Sequence, residues 1–119
     1  MTSTDVFVER SRRWGRTLED REAARHGVSI RQARDIVARR AGISSGTLET
    51  LRSGRLKAVA AHVYQRLWQA VIRDLHEELR RHEHELHLLA QQGLGPADRE
   101  VEQVMAGISK IEKALEGER

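Results

Sequence analysis

At 119 residues, with 3% aromatics, one proline and no cysteine, the chain has room for one small domain and an extension, and excludes a large aromatic core, a disulfide frame and a thiolate metal site. Its formal charge of +3 conceals a division: residues 1–60 carry 13 Lys/Arg against 7 Asp/Glu, and residues 61–119 carry 8 against 11. A basic half joined to a mildly acidic half predicts one part that meets a polyanion and another that meets protein.

Leu, Ile, Val and Ala must do the packing, and no alternating strand run of useful length is present, so the expected fold class is all-α. Residues 1–16 resist placement. Val6, Phe7 and Trp14 offer a small apolar patch, but Gly15 interrupts and Arg10, Arg12, Arg13 and Arg16 dominate. A basic arm on a phosphate backbone, a first helix packed by Val6 and Phe7, and a frayed terminus all fit. The next helix is expected over residues 17–26, with Thr17 as its cap and Asp20 three residues on. Gly27 ends it and Val28 closes that end.

Ser29 caps the following helix, with Gln32 completing a capping-box pattern. Ile30, Ala33, Val37 and Ala41 recur at spacings of 3, 4 and 4, giving one apolar face. Gly42 ends this helix, as the residue that reaches φ > 0 without a Cβ penalty. Ile43 fills the inside of the turn and Ser44 caps a short helix. With Leu48 and Leu51 inward, the outward side holds Gly46, Glu49, Thr50 and Ser53, and Ser45 lies at the exposed N-terminal end. Gly54 stops the helix, and Arg55 and Lys57 follow. A short helix with small polar outward residues, bracketed by bases, suits a major groove, with its side chains on base edges and the flanking residues on phosphates.

The segment from about Ile30 to Gly54 resembles the helix-turn-helix of the Cro/repressor (Xre-like) DNA-binding regulators. The residues that carry the likeness are Ala38, Gly42, Ile43-Ser44, Leu48, Leu51 and Gly54. The resemblance implies that Arg34 stands where the family has a phosphate-contacting Gln, and that Ser45, Gly46, Glu49 and Thr50 stand where it reads bases. The expected base-reading set is thus Ser45, Gly46, Glu49, Thr50 and Ser53. The expected phosphate set is Arg34, Arg39, Arg40, Ser44, Thr47, Arg52, Arg55 and Lys57. Two departures stand out: Ser45 and Gly46 replace longer side chains, and the two further short helices of that family do not follow.

Residues 57–91 instead contain no proline or glycine before the final QQGLG at 91–95, and predict a long helix over about 58–91. Val59, Val63, Leu67 and Val71, with Tyr64, make a stripe for packing on the preceding region. From Trp68 a narrower seam follows: Trp68, Ile72, Leu75, Leu79, His82, Leu86 and Leu89 at spacings of 4, 3, 4, 3, 4 and 3. Pro96 suits a first helical position, with Asp98 and Glu100 in the first turn of a helix over about 97–116. Val101, Val104, Ile108, Ile111 and Leu115 repeat the seam there. A short loop makes these helices an antiparallel hairpin, and two hairpins are expected to bury both seams as a homodimeric, coiled-coil-like bundle, or a higher oligomer. The expected layout is a basic helix-turn-helix head over 1–60 and a helical dimerisation region over 61–119.

His76, His82, His84 and His87 cluster with Glu83 and Glu85, but His82 and His84 point about 200° apart on a helix and cannot share one metal. His82 reads as a register-setting polar residue in the seam, with no metal and no cofactor expected. No catalytic grouping, small-molecule site, apolar run of about 20 residues or apolar signal core is evident. The sequence therefore predicts a non-enzymatic, cytoplasmic, nucleoid-associated transcription regulator, a repressor from a bacterium or phage, binding double-stranded DNA. The alternatives are a ring-forming phage small terminase subunit and a protein-binding adaptor or antitoxin.

Overall fold

A computed structural model describes residues 3–118 of the chain. It is all-helical, with no strand among the described residues. The helices are α1 (Ser3–His26), α2 (Ile30–Ala41), α3 (Ser45–Arg52), α4 (Ala61–Gln91) and α5 (Arg99–Gly117). The chain divides into two compact units, Met1–Val71 and Ile72–Arg119.

In the first unit, α1, α2 and α3 pack on one another. α1 corrects the expectation for the N-terminal region: one 24-residue helix replaces an unplaced segment and a helix begun at Thr17. Gly15 does not break it. It lies buried, and a Cβ added there would meet the Leu48 side chain at 3.6 Å, an ordinary contact between α1 and α3. Ser11, Trp14, Gly15, Leu18, Glu19 and Glu22 are all buried, at helical spacings of 3, 1, 3, 1 and 3. This is one continuous inward stripe. Val6 and Phe7 are instead 40% and 44% exposed, although the Phe7 ring meets Tyr64 edge-on at 4.9 Å.

The punctuation of α2 and α3 follows the local chemistry of the sequence. The Ser29 hydroxyl accepts from the Gln32 amide at 3.1 Å, and the Gln32 side chain accepts from the Ser29 amide at 3.1 Å. Gly27 and Gly42 carry φ of 63° and 69°, where a Cβ would strain the backbone. Ser44 caps α3 by accepting from the Thr47 amide. Ala33, Val37, Ala38, Ile43, Leu48 and Leu51 are buried between the helices. Val63, Leu67 and Val71 of α4 join this core, and Tyr64 lies 4.9 Å from the Trp14 ring. α4 begins at Ala61 rather than about residue 58.

In the second unit, α5 runs back along α4. Gly107 faces the His82 ring, and Glu112, Leu115 and Glu116 share a groove with His76 and Leu79. Asp98 is the N-cap of α5, not a first-turn residue, and its carboxylate accepts from the Gly95 amide at 2.6 Å. Pro96 consequently falls in the preceding turn rather than at the first helical position.

Leu75, Val101, Val104, Ile111 and Leu115 are buried within a single chain. Ile72, Leu79, His82, Leu86, Leu89 and Ile108 are half-buried, and Trp68 of the first unit is 37% exposed. The two helices thus cover part of each other's stripes, and the middle of the seam, at Leu79, His82, Leu86 and Ile108, keeps partial exposure in a single chain.

Candidate nucleic-acid interface

The surface of interest is built by α2, the turn at residues 42–44, α3 and the strand-free stretch after it. The turn is fixed three times over. Gly42 caps α2 in the left-handed conformation, its amide donating to the Ala38 carbonyl. The Arg66 guanidinium of α4 donates to the Gly42 carbonyl at 2.6 Å. The Ser45 hydroxyl donates to Asp35 of α2 at 3.1 Å. These bonds set the first turn of α3 against α2, while Leu48 and Leu51, 1% and 2% exposed, hold its inner face.

The outer face of α3 carries the residues singled out from the sequence, in two states. Gly46, Glu49 and Ser53 are exposed. Ser45 and Thr50 are half-buried, Ser45 engaged by Asp35 and Thr50 donating back to the Gly46 carbonyl at 2.7 Å. A Cβ added at Gly46 would meet nothing within 4 Å, so the surface there is bare backbone.

The eight residues expected at phosphates separate into three groups. Arg34 and Arg52 are drawn into the fold by acids of α1, and Arg40, whose side chain is 54% exposed, pairs with an α1 acid at the surface. Arg34 donates through Nε to Glu19 at 2.7 Å, and Glu19 is fully buried. Arg52 lies 3.1 Å from Asp20 and 3.7 Å from Glu19. Arg40 donates to Glu22 at 2.9 Å, an acid that Arg25 and His26 also approach. Ser44 and Thr47 share a hydroxyl–hydroxyl bond of 2.8 Å within the cap.

Arg39, Arg55 and Lys57 remain exposed. Arg39 donates only to a carbonyl of its own helix, at 3.4 Å. Arg55 reaches Ser53 at 2.9 Å and Glu49 at 3.9 Å, both at the surface.

The α1 acids are the feature that sequence reasoning missed. Burial pushes the Glu19 carboxyl above its ordinary range, against the opposing pull of Arg34 and Arg52. The signal existed in the 11-14-15-18-19-22 stripe, but only if α1 is read through Gly15 without a break. Arg12 is another unforeseen element. Its guanidinium comes within 3.5 Å of the Arg52 carbonyl at the C-terminal end of α3, and within 3.5 Å of where a Gly54 Cβ would sit. Arg12, Arg13 and Arg16 line an open groove of about 210 Å³ along α1 with Glu9, Thr17 and Asp20. The N-terminal arginines therefore stand on a helix beside the end of α3.

Among the described residues no group of three or more His, Cys, Asp or Glu side chains is placed to hold a metal ion. No helix among them is long and apolar enough to cross a membrane. No protein-family model, curated protein or solved structure matches the chain.

Proposed function

We propose that α2, its turn and α3 form a helix-turn-helix, and that the chain is a sequence-specific, dimeric DNA-binding transcription regulator acting as a repressor. In this reading residues 61–119 follow as a helical hairpin that brings two copies together. The observation that carries the reading is the outer face of α3. Exposed Gly46, Glu49 and Ser53 stand beside exposed Arg39, Arg55 and Lys57, on a helix whose inner face and first turn are fixed by the core.

A rigid short helix with polar outward residues presents hydrogen-bonding groups to base edges. Cations at its borders meet the phosphates that set its register. The assignment of roles changes with the geometry. Glu49 and Ser53 are the outward candidates for base contact, and Gly46 is where backbone approaches. Arg39, Arg55 and Lys57 are the phosphate candidates. Arg34, Arg40 and Arg52 hold the helices in place through their carboxylate partners.

Selection of binding sites from random DNA by the purified chain tests the reading. It is expected to return an inverted repeat with half-sites about 34 Å apart or a multiple. Replacing Glu49 and Thr50 together by alanine is expected to lose discrimination between selected and random sites while the chain stays folded. Unchanged discrimination would refute the assignment of α3 as the reading helix. Lys57→Ala should weaken all sequences alike and lower the salt slope by about 1.

A further inference from the structure

The α4–α5 pair carries charge in an order that its own packing does not use. At about 100° per residue, Arg73, His76, Arg80, His84 and His87 fall on one side of α4, and all are exposed. Two acids border that stripe, Glu83 beside His76 and Glu77 beside His84, while Asp74, Glu78 and Glu85 lie on the other flank. On α5, Glu102, Met105, Ser109, Glu112 and Glu116 recur at spacings of 3, 4, 3 and 4, all exposed and with no cation among them.

The groove lined by His76, Leu79, Glu112, Leu115 and Glu116 shows that the α4 stripe that holds Arg73, His76 and Arg80 and the acidic stripe of α5 border the same open face. The groove is about 330 Å³, with Leu79 and Leu115 as its apolar part. The opposite flank is the one where Gly107 meets His82. Among the described residues, no ion pair joins the two stripes, and Arg73, Arg80, Glu112 and Glu116 make none elsewhere.

We infer that a second copy of this chain covers this face, with Arg73 and Arg80 of each copy lying over the acidic stripe of the other. A face positive along one helix and negative along the next complements itself about a two-fold axis parallel to the helices. That operation leaves every residue at its own height. It also surrounds each α4 with antiparallel neighbours only, the arrangement of an up-and-down four-helix bundle. The His82–Gly107 contact gives the heights: residues of α4 and α5 whose numbers sum to 189 lie level. Arg73 of one copy then meets Glu116 of the other, His87 meets Glu102, and Arg80 lies level with Ser109, about one turn from Glu112. Met105, 49% exposed in one chain, is covered at the level of His84.

The inference rests on the two-copy part of the proposed function, but not on DNA binding. Sedimentation of the full chain without DNA tests it. The wild type is expected to be a dimer that weakens as salt is raised. Arg73→Glu with Arg80→Glu should weaken dimerisation about tenfold or more, as should Glu112→Arg with Glu116→Arg. Mixing these two variants, or placing all four changes in one chain, should restore the dimer. Far-UV circular dichroism of each variant checks that the helices remain.

A monomeric wild type, a ring of about eight or more copies, or a dimer indifferent to the charge reversals would each overturn the inference. A gel-shift assay on the same samples separates the readings. DNA binding that persists while the charge reversals leave the dimer unchanged refutes the pairing alone. Restored dimers that bind no DNA sink the regulator reading and leave the pairing intact.

Discussion

In the unit Met1–Val71, carboxylates belong to the interior: Glu19 and Glu22 of α1 are buried and hold arginines of α2 and α3. In the unit Ile72–Arg119 the buried residues are Leu75, Val101, Val104, Ile111 and Leu115, and among the described residues no charged side chain is buried. The difference separates two kinds of specification. Aliphatic packing rewards any arrangement that covers the same area, and tolerates sliding by a turn. A buried carboxylate is satisfied only where its guanidinium partners converge, so misplacing α2 or α3 against α1 carries a desolvation cost. The unit that holds α3 uses the second device.

The comparison can be broken first at Arg34. Arg34→Ala leaves Glu19 buried without its closest partner, and should cost about 3–5 kcal/mol in unfolding free energy by denaturant titration. Arg39→Ala, one helix turn away and exposed, should stay within about 0.5 kcal/mol. Equal effects would show that the Glu19 pair carries no weight. The counterpart in the second unit is Ile111→Ala, expected to cost about 2–4 kcal/mol by cavity formation, with the pH dependence of stability unchanged.

A pH titration sharpens the contrast. The folded Glu19 carboxyl is raised by burial, so the folded chain keeps its proton to higher pH than the unfolded chain does. The stability this contributes is complete below the ordinary carboxylate range and is lost as pH rises through the raised value. Glu19→Gln should remove that decline, so that wild-type minus variant stability falls with rising pH across mildly acidic pH. A difference curve rising with pH would reverse the sign argued here. The smallest effect is expected at Gly107. A Cβ there would meet the His82 ring at 3.5 Å, an ordinary contact, so Gly107→Ala should add about 0.5–1 kcal/mol in a thermal melt.

The legible parts of the fold were those with local causes. Ser29 with Gln32, Gly42 and Ser44 each act within four residues, and the bounds of α2 and α3 followed from them. α1 was not legible because its inward stripe mixes Ser, Gly and Glu with Trp and Leu. Glu19 and Glu22 belong in a core only by virtue of partners 15 and 18 residues away. The same separation hid the fate of Arg34, Arg40 and Arg52. Exposed on any helical wheel, they are spoken for by a helix that periodicity did not reveal. The start of α5 shifted because Asp98 keeps an extended backbone, its carboxylate bonded back to the Gly95 amide, which leaves Pro96 in the turn before the helix.

Gly46 bears on how such a protein changes over time. Its Cβ position is open, its backbone is helical, and the Leu48 and Leu51 core lies on the other side of α3. A larger side chain there would gain helix propensity, up to about 1 kcal/mol, instead of disturbing packing. Most positions that recognise a partner trade stability for novelty when they mutate. Position 46 carries no such penalty, so under the proposed reading it is where lineages of this chain can diverge in target with least risk to folding, and where a randomised library would begin.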